Sequence, residues 1–480
     1  MNIRNVFCVL ALTLFFGGNV RADMQQRVER LLRENDYHNG GIGIMILDLE
    51  TDSVVVSVDA DSLMNPASVN KLFTGAAAME LFGPIHTFPT KVYIDGNFDS
   101  ESGIVDGNLY IKGGADPGLS AERLWLFVQH LSHRGIKSVT GDLILDNSYF
   151  DSVSLGPGYT QGPNSRAYLP LISPLAANFS SIAIHHRSGH TPGTPVKVDV
   201  FPRIEGLVIN SSARTAAPGS RGSLNVTTSY NGGRTQVNVS GLMPLNQLPG
   251  YTYRRVWQTW EVFGGAMRAM FSENGIEIKG ETIEGTVSDS LINSGPFFTF
   301  RSQPVTEFVD HMFKYSSNFA SEMLFKALAA EYVSVPGTWE GGAKVISDWW
   351  KNRKLPGMPV IKNGSGMGDV NRVSAAQVTE LLRYVSQQKT YYPEFLGALS
   401  IGNVDGTLKD RFRQSRLGGL VRAKTGTLNS LRVSTLAGYL FLSDRTYAFA
   451  ILCNNVGSGQ FDNWVIQELI LDTVASDIWW

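Results

Sequence analysis

The chain has 480 residues, with 41 Lys and Arg against 43 Asp and Glu and a formal net charge of -2. Charged residues make up 18% and mean hydropathy is close to zero, which excludes a basic nucleic-acid footprint and a disordered acidic tail. So long a chain exceeds what one hydrophobic core serves, and two or three domains are expected.

At the front, Arg4 precedes an apolar run from Val6 to Phe16 that gives way to Gly17, Gly18 and the ending Val20-Arg21-Ala22. This layout predicts a secretory signal over residues 1–22, cut after Ala22. The run is shorter than the about 20 residues that cross a bilayer, so no integral span is expected in the mature chain. Cys8 follows the bulky Phe7, unlike the small residue at a lipoprotein cleavage site. Removing the leader leaves Cys453, in FAILCNN, as the only cysteine, read as core packing. An exported protein of this size without disulfides points to a bacterial envelope, and so to the periplasm.

GIGIMILDLETDSVVVSVDAD (41–61) alternates apolar and polar residues around a turn at Glu50 to Asp52, predicting two strands. NPASVNKLFTGAAAMEL (65–81) follows as a helix. From about 88 to 300 the chain reads as short alternating strands joined by Gly, Asn, Asp and Pro turns, with one helix at 258–273. The helical period returns in VTEFVDHMFKYSS, NFASEMLFKALAAEYV, WEGGAKVISDWWKN and SAAQVTELLRYVSQQ. LVRAKTGTL, STLAGYLFLS and TYAFAILCNN then predict three consecutive strands, closed by the helix NWVIQELILDTVA. Strands and a helix at both ends define one α/β domain over 23–87 and 300–480 that hosts an insertion. The insertion is expected to divide into 88–175 with 245–299, and a nested β-rich part at 176–244.

Ser68 and Lys71 stand three residues apart at a helix start, so their side chains share a face and can touch. A serine hydroxyl becomes a nucleophile when a neighbouring base takes its proton. Lysine is that base when burial or another cation disfavours its ammonium. Taken alone the spacing is weak, because Ser386-Gln387-Gln388-Lys389 repeats it at the polar end of a helix. Two further motifs follow in order: Ser316-Ser317-Asn318 at a turn between helices, and Lys424-Thr425-Gly426 on a strand. The ordered set S-x-x-K, S-x-N and K-T-G marks penicillin-interacting acyl transferases.

With these motifs and the blocks GNLYIKGGADPGLS, GDLILDNSYF, SPLAANFSSIAI, NGSGMGDVNRVSAAQV, GNVDGTLKDRF and AKTGTLNSLRVSTLAGYL, the chain resembles the D-alanyl-D-alanine carboxypeptidase/endopeptidase family of low-molecular-mass penicillin-binding proteins. The wide gap between Ser68 and Ser316 is also that family's mark. The resemblance implies an α/β, transpeptidase-like (serine β-lactamase-like) domain, its antiparallel sheet flanked by helices and interrupted by a β-rich insertion. It implies a serine DD-peptidase acting on peptidoglycan stem peptides without metal or cofactor, and β-lactams as covalent inhibitors. Ser68 would attack the penultimate D-alanine carbonyl, Lys71 would accept its proton, and Ser316 would relay it to the leaving amine. Asn318 would hydrogen-bond Lys71 and the substrate amide. Lys424 and Thr425 would hold the terminal carboxylate, beside Gly426, while the amides of Ser68 and Thr427 would form the oxyanion hole. Arg372, Arg166 and Tyr168 are candidates for shaping the cleft. A nearby Lys424 ammonium is expected to keep Lys71 neutral and basic.

Other motifs read as structure. GGADPG (113–118) is expected to be a strand-end turn, HHRSGH (185–190) a solvated loop, and NGSG (363–366) a loop beside the cleft. Trp479 and Trp480 are expected to pack or fray. Asn363 and Gly368-Asp369 depart from a block the family often writes Asp-Gly-Ser-Gly-Leu-Ser, and Ser317 replaces a common aspartate. A β-lactamase and an inactive wall-binding scaffold are the alternative readings.

Overall fold

The computed structural model describes residues 23–37, 40–160, 164–457 and 459–476. The expected signal with Cys8, and Trp479 with Trp480, lie outside the described residues. The described residues form two compact units: those up to Pro84, Val309–Ser317 and those from Ala343 onward make one, and those within Ile85–Phe308 and Asn318–Gly342 the other.

The first unit is built on a six-stranded antiparallel sheet in the order Ser400–Ile401, Val421–Leu428, Val433–Phe441, Thr446–Asn454, Ile42–Asp48, Ser53–Val58. The two ends of the chain meet inside it, with Ile42 opposite Cys453 and Asp48 opposite Tyr447. Val433–Phe441 is buried at all but its last residue, because helices cover both faces and alternation is lost. On one face the helix at 23–34 and Gln460–Ala475 pack Val28, Leu32, Ile466 and Ile470 against Ile44, Leu436 and Phe449. The helix Ala375–Ser386, started by a capping box at Ser374 and Gln377, lies against the strands Ile42–Asp48, Val433–Phe441 and Thr446–Asn454. The helix Lys71–Leu81 is buried from Lys71 to Met79. A Cβ on its Gly75 would stand 2.5 Å from the Phe313 ring.

Two hydrophobic cores lie in the described residues of the second unit. Leu109, Ile111, Leu124, Phe127, Met267 and Phe271 join the sheet of Pro89–Asp99 and Ile104–Lys112 to the helices Ala121–His133 and Thr259–Glu273. The first of these helices corrects the expectation of a single helix in this region; Ser120 caps it by accepting from the Arg123 N–H. The other core gathers Ile182, Ile184, Val226, Val237 and Val239 beneath two three-stranded sheets. Gly250–Arg255 pairs with Ser181–Arg187, so we propose drawing the nested part through 255 rather than 244.

HHRSGH is also corrected, since its first residues end that strand rather than form a loop. His185 stacks on Tyr251, and His186 is buried with Nε2 against Thr252 Oγ1. GGADPG follows the strand Ile104–Lys112, and Asp116 Oδ1 accepts from the Gly118 N–H.

Candidate active site

Asn65 Oδ1 accepts from the Ala67 N–H at 2.9 Å, while Asn65 Nδ2 donates to the Gly368 carbonyl at 2.9 Å. Thr435 Oγ1 donates to the Pro66 carbonyl at 2.8 Å. Thus held on both sides, Ala67 adopts a left-handed φ of 45°, a conformation that costs a non-glycine residue about 1–3 kcal/mol. The chain then makes a 3-10 turn, Ala67–Asn70, before the helix Lys71–Leu81. Ser68 therefore precedes the α-helix that was expected to contain it. In a 3-10 turn side chains three apart eclipse, and Lys71 Nζ lies 2.8 Å from Ser68 Oγ. Ser68 is half-buried and Lys71 fully buried.

The loop 363–366 packs on this turn, as the sequence predicts for NGSG. Asn70 Nδ2 donates to the Asn363 carbonyl, Thr74 Oγ1 to the Gly364 carbonyl and Lys71 Nζ to the Ser365 carbonyl, at 2.8, 2.9 and 2.8 Å. Ser365 Oγ accepts from the Met367 N–H at 3.2 Å.

A second amine–hydroxyl pair stands at the sheet edge. Lys424 Nζ donates to Ser316 Oγ at 3.0 Å and to the Thr425 carbonyl at 2.7 Å. Ser316 turns between the helices Val305–Lys314 and Asn318–Tyr332 with a left-handed φ of 58°. Complete burial pulls the Lys424 amine down to about 7, since an ammonium without water is disfavoured. Burial thus opposes the positive charge that the sequence expectation gave Lys424 beside Lys71.

Gly426 ties the two pairs together. Residues two apart on a strand share a face, and a Cβ on Gly426 would lie 2.8 Å from the Ser68 backbone nitrogen and 2.2 Å from Thr435 Oγ1. The chain's own serine-bearing turn requires the glycine. Val421–Leu428 pairs along its whole length with Val433–Phe441, but on its other side only at Arg422 and Ala423. The edge from Lys424 to Leu428 therefore has no neighbouring strand among the described residues. Thr425 Oγ1 donates to Thr407 Oγ1 at 2.8 Å, and Thr427 Oγ1 accepts from Gln460 Nε2 at 3.5 Å. Thr407, within the block GNVDGTLKDRF, was not among the expected site residues; the block's resemblance was its only signal.

The other candidates are placed as follows. Asn318 begins the helix Asn318–Tyr332 in the second unit and donates from Nδ2 to the Tyr168 carbonyl at 2.8 Å. The Arg166 guanidinium lies 5.9 Å from the centre of the Tyr168 ring. Arg372 pairs with Asp369 at 2.9 Å, a local ion pair three residues apart. In the second S-x-x-K, Ser386 Oγ donates to the Arg383 carbonyl and Lys389 is exposed. Glu322 is buried and accepts from Trp339 Nε1 at 2.8 Å and Tyr159 Oη at 3.2 Å.

A serine in contact with a buried lysine, a second such pair, and a glycine-bearing strand edge are the residue types that a serine acyl-transfer centre of the penicillin-interacting class needs. The chain belongs to the D-Ala-D-Ala carboxypeptidase 3 (S13) family, whose model matches residues 24–472. It is 27% identical over 456 residues to a D-alanyl-D-alanine carboxypeptidase of Actinomadura, covering 91% of this chain and 82% of that one. It is 24% identical over 438 residues to D-alanyl-D-alanine carboxypeptidase DacB of Haemophilus influenzae, covering 88% and 87%. The crystal structure of penicillin binding protein 4 from the same organism superposes with a TM-score of 0.77 at 22% identity, over 92% of this chain and 99% of that one. The protein is a serine DD-peptidase with the penicillin-binding-protein fold. Among the described residues no helix is long and apolar enough to cross a membrane.

Proposed function

We propose that the chain is exported to the periplasm by its leader and there cleaves D-alanyl bonds of peptidoglycan stem peptides through an acyl-enzyme on Ser68. The observation that carries this reading is the 2.8 Å contact between Ser68 Oγ and the buried Lys71 Nζ. Lys71 takes the hydroxyl proton as Ser68 Oγ bonds to the carbonyl carbon of the penultimate D-alanine. The open edge from Lys424 to Leu428 suits an extended peptide adding as a strand, which brings the Thr427 and Ser68 amides to the developing oxyanion. Lys424 and Thr425 receive the terminal carboxylate. Ser316, held by Lys424, relays the proton taken by Lys71 to the D-alanine amine as the C–N bond breaks, and water then releases the acyl group. The role of Asn318 rests on the family's motif alone, and that of Arg372 on its position beside the loop 363–366.

A carboxypeptidase and an endopeptidase reaction differ only in what leaves, and the scheme serves both. Binding of β-lactams follows from the same nucleophile, and the Haemophilus influenzae protein has been crystallised with one. Glu322 has both carboxylate oxygens engaged, one by Trp339 and one by Tyr159.

Intact mass spectrometry after benzylpenicillin tests the assignment. Wild type should gain one penicilloyl mass that persists, and Ser68→Ala should gain none. An adduct on the alanine variant would overturn Ser68 as nucleophile, and rapid loss of the wild-type adduct would favour a β-lactamase.

A further inference from the structure

The Lys71 amine is oriented by a clamped peptide group. A neutral primary amine has two N–H bonds and one lone pair, and accepting the Ser68 proton requires the lone pair to point at Oγ. The Ser365 carbonyl can only accept, so it takes an N–H from Nζ at 2.8 Å and restricts rotation about the terminal C–N bond. The same peptide group is held at its other end, where the Gly366 N–H donates to Asn363 Oδ1 at 2.8 Å. Asn371 Nδ2 also donates to Asn363 Oδ1, at 3.0 Å, and Asn363 Nδ2 donates to the Met367 carbonyl at 2.9 Å. These two contacts set which way the Asn363 amide faces. Asn371 is itself fixed by accepting from the Lys362 and Asn363 N–H groups at 2.7 and 3.3 Å. Asn363, Ser365, Asn371 and Lys71 are all fully buried. Gly366, at φ +83°, packs so closely that a Cβ would fall 1.8 Å from the Ala67 carbonyl oxygen. The plane thus abuts the residue preceding the nucleophile.

We propose that Asn363 is a positioning residue for acylation, aiming the lone pair of Lys71 at Ser68 through the Ser365–Gly366 peptide group. In the step it serves, the Ser68 O–H bond breaks, its proton joins the Lys71 lone pair, and the oxygen's electron pair bonds to the carbonyl carbon as the C=O π pair moves onto the carbonyl oxygen. Asn363 exchanges no proton. The inference rests on the reading of Ser68 as nucleophile and Lys71 as base.

Benzylpenicillin acylation of the full mature chain separates non-covalent binding from the acylation rate constant. In Asn363→Ala the binding constant should be unchanged while the acylation rate constant falls about 10- to 100-fold, the scale of loss when a reacting group is misaligned. Asn363→Asp keeps the acceptor for the Gly366 N–H and should recover the rate to within about threefold of wild type. A purely structural role would lower the melting temperature and leave the rate constant of the folded protein intact. Wild-type acylation in folded Asn363→Ala, or an equal loss in both variants, overturns the proposal. If the alanine variant does not fold, Asn371→Asp decides the matter. It keeps both accepted backbone N–H bonds and removes the donor to Asn363 Oδ1, and an unchanged acylation rate there overturns the proposal. If wild type itself forms no adduct, the reading of Ser68 fails instead.

Discussion

Lys424 carries conflicting demands. Burial alone pulls its amine from 10.5 to about 7. Between those two values the unfolded chain binds more protons than the folded one, so stability climbs with pH across that window, and the penalty is full below it. Lys424→Met should therefore be more stable than wild type at neutral pH, by about 1–2 kcal/mol, as is common where a functional residue is strained against the fold. The advantage should shrink as pH rises toward 10.5; urea melts at neutral and alkaline pH check this. Acylation by benzylpenicillin should fall by about 100-fold, the scale of losing one preorganised electrostatic contact. The meeting of Ser68 with Lys71, and of Ser316 with Lys424, was legible in the sequence because the order and spacing of the motifs narrow the chemistry. Asn363, Asn371 and the Ser365 carbonyl were not legible as a clamp. A side-chain amide bonded to backbone has no spacing rule, and the acting atom at Ser365 belongs to a group every residue carries.

At the scale of elements, the strand Val421–Leu428 and the turn Ala67–Asn70 approach backbone to backbone, and Gly426 sets their distance. A methyl group there meets both Ser68 N and Thr435 Oγ1. The threonine side chain can rotate, but doing so removes its bond to the Pro66 carbonyl, and the backbone nitrogen has no such freedom. Gly426→Ala should fold with a loss of about 1–3 kcal/mol, the usual cost of overpacking a tight contact, and should acylate far more slowly than it loses stability. Thermal melts beside adduct formation measure the two effects; full acylation would show that the approach does not set the nucleophile's position. The flanking elements were readable from alternation and helical period. The helix Ala121–His133 was passed over although Leu124, Phe127, Val128 and Leu131 repeat at helical spacing behind a serine cap. Its neighbours on both sides alternate as strands, and that texture masked it. HHRSGH failed for the opposite reason: a polar run sits on a strand because pairing with Gly250–Arg255 and Lys197–Phe201 satisfies its backbone.

At the scale of the molecule, a single sheet is assembled from the two ends of the chain, and Cys453 stands at the closure. It lies opposite Ile42 on one side and Ser434 on the other, fully buried. Burial pushes its thiol up to about 12, and the thiolate is the reactive species. Labelling therefore requires the strand Thr446–Asn454 to open. That strand separates Ile42–Asp48, which leads toward Ser68, from Val433–Phe441, which flanks the strand of Lys424. Opening it should remove the core that aligns both amine–hydroxyl pairs. In a protein with Cys8 replaced by serine, a thiol reagent should leave native protein unlabelled and modify one thiol in strong denaturant. Along a urea titration, the onset of labelling should coincide with the loss of benzylpenicillin acylation. Labelling that preceded this loss would show that the serine centre survives without the closed sheet, and the joining of the chain ends would not be what aligns it.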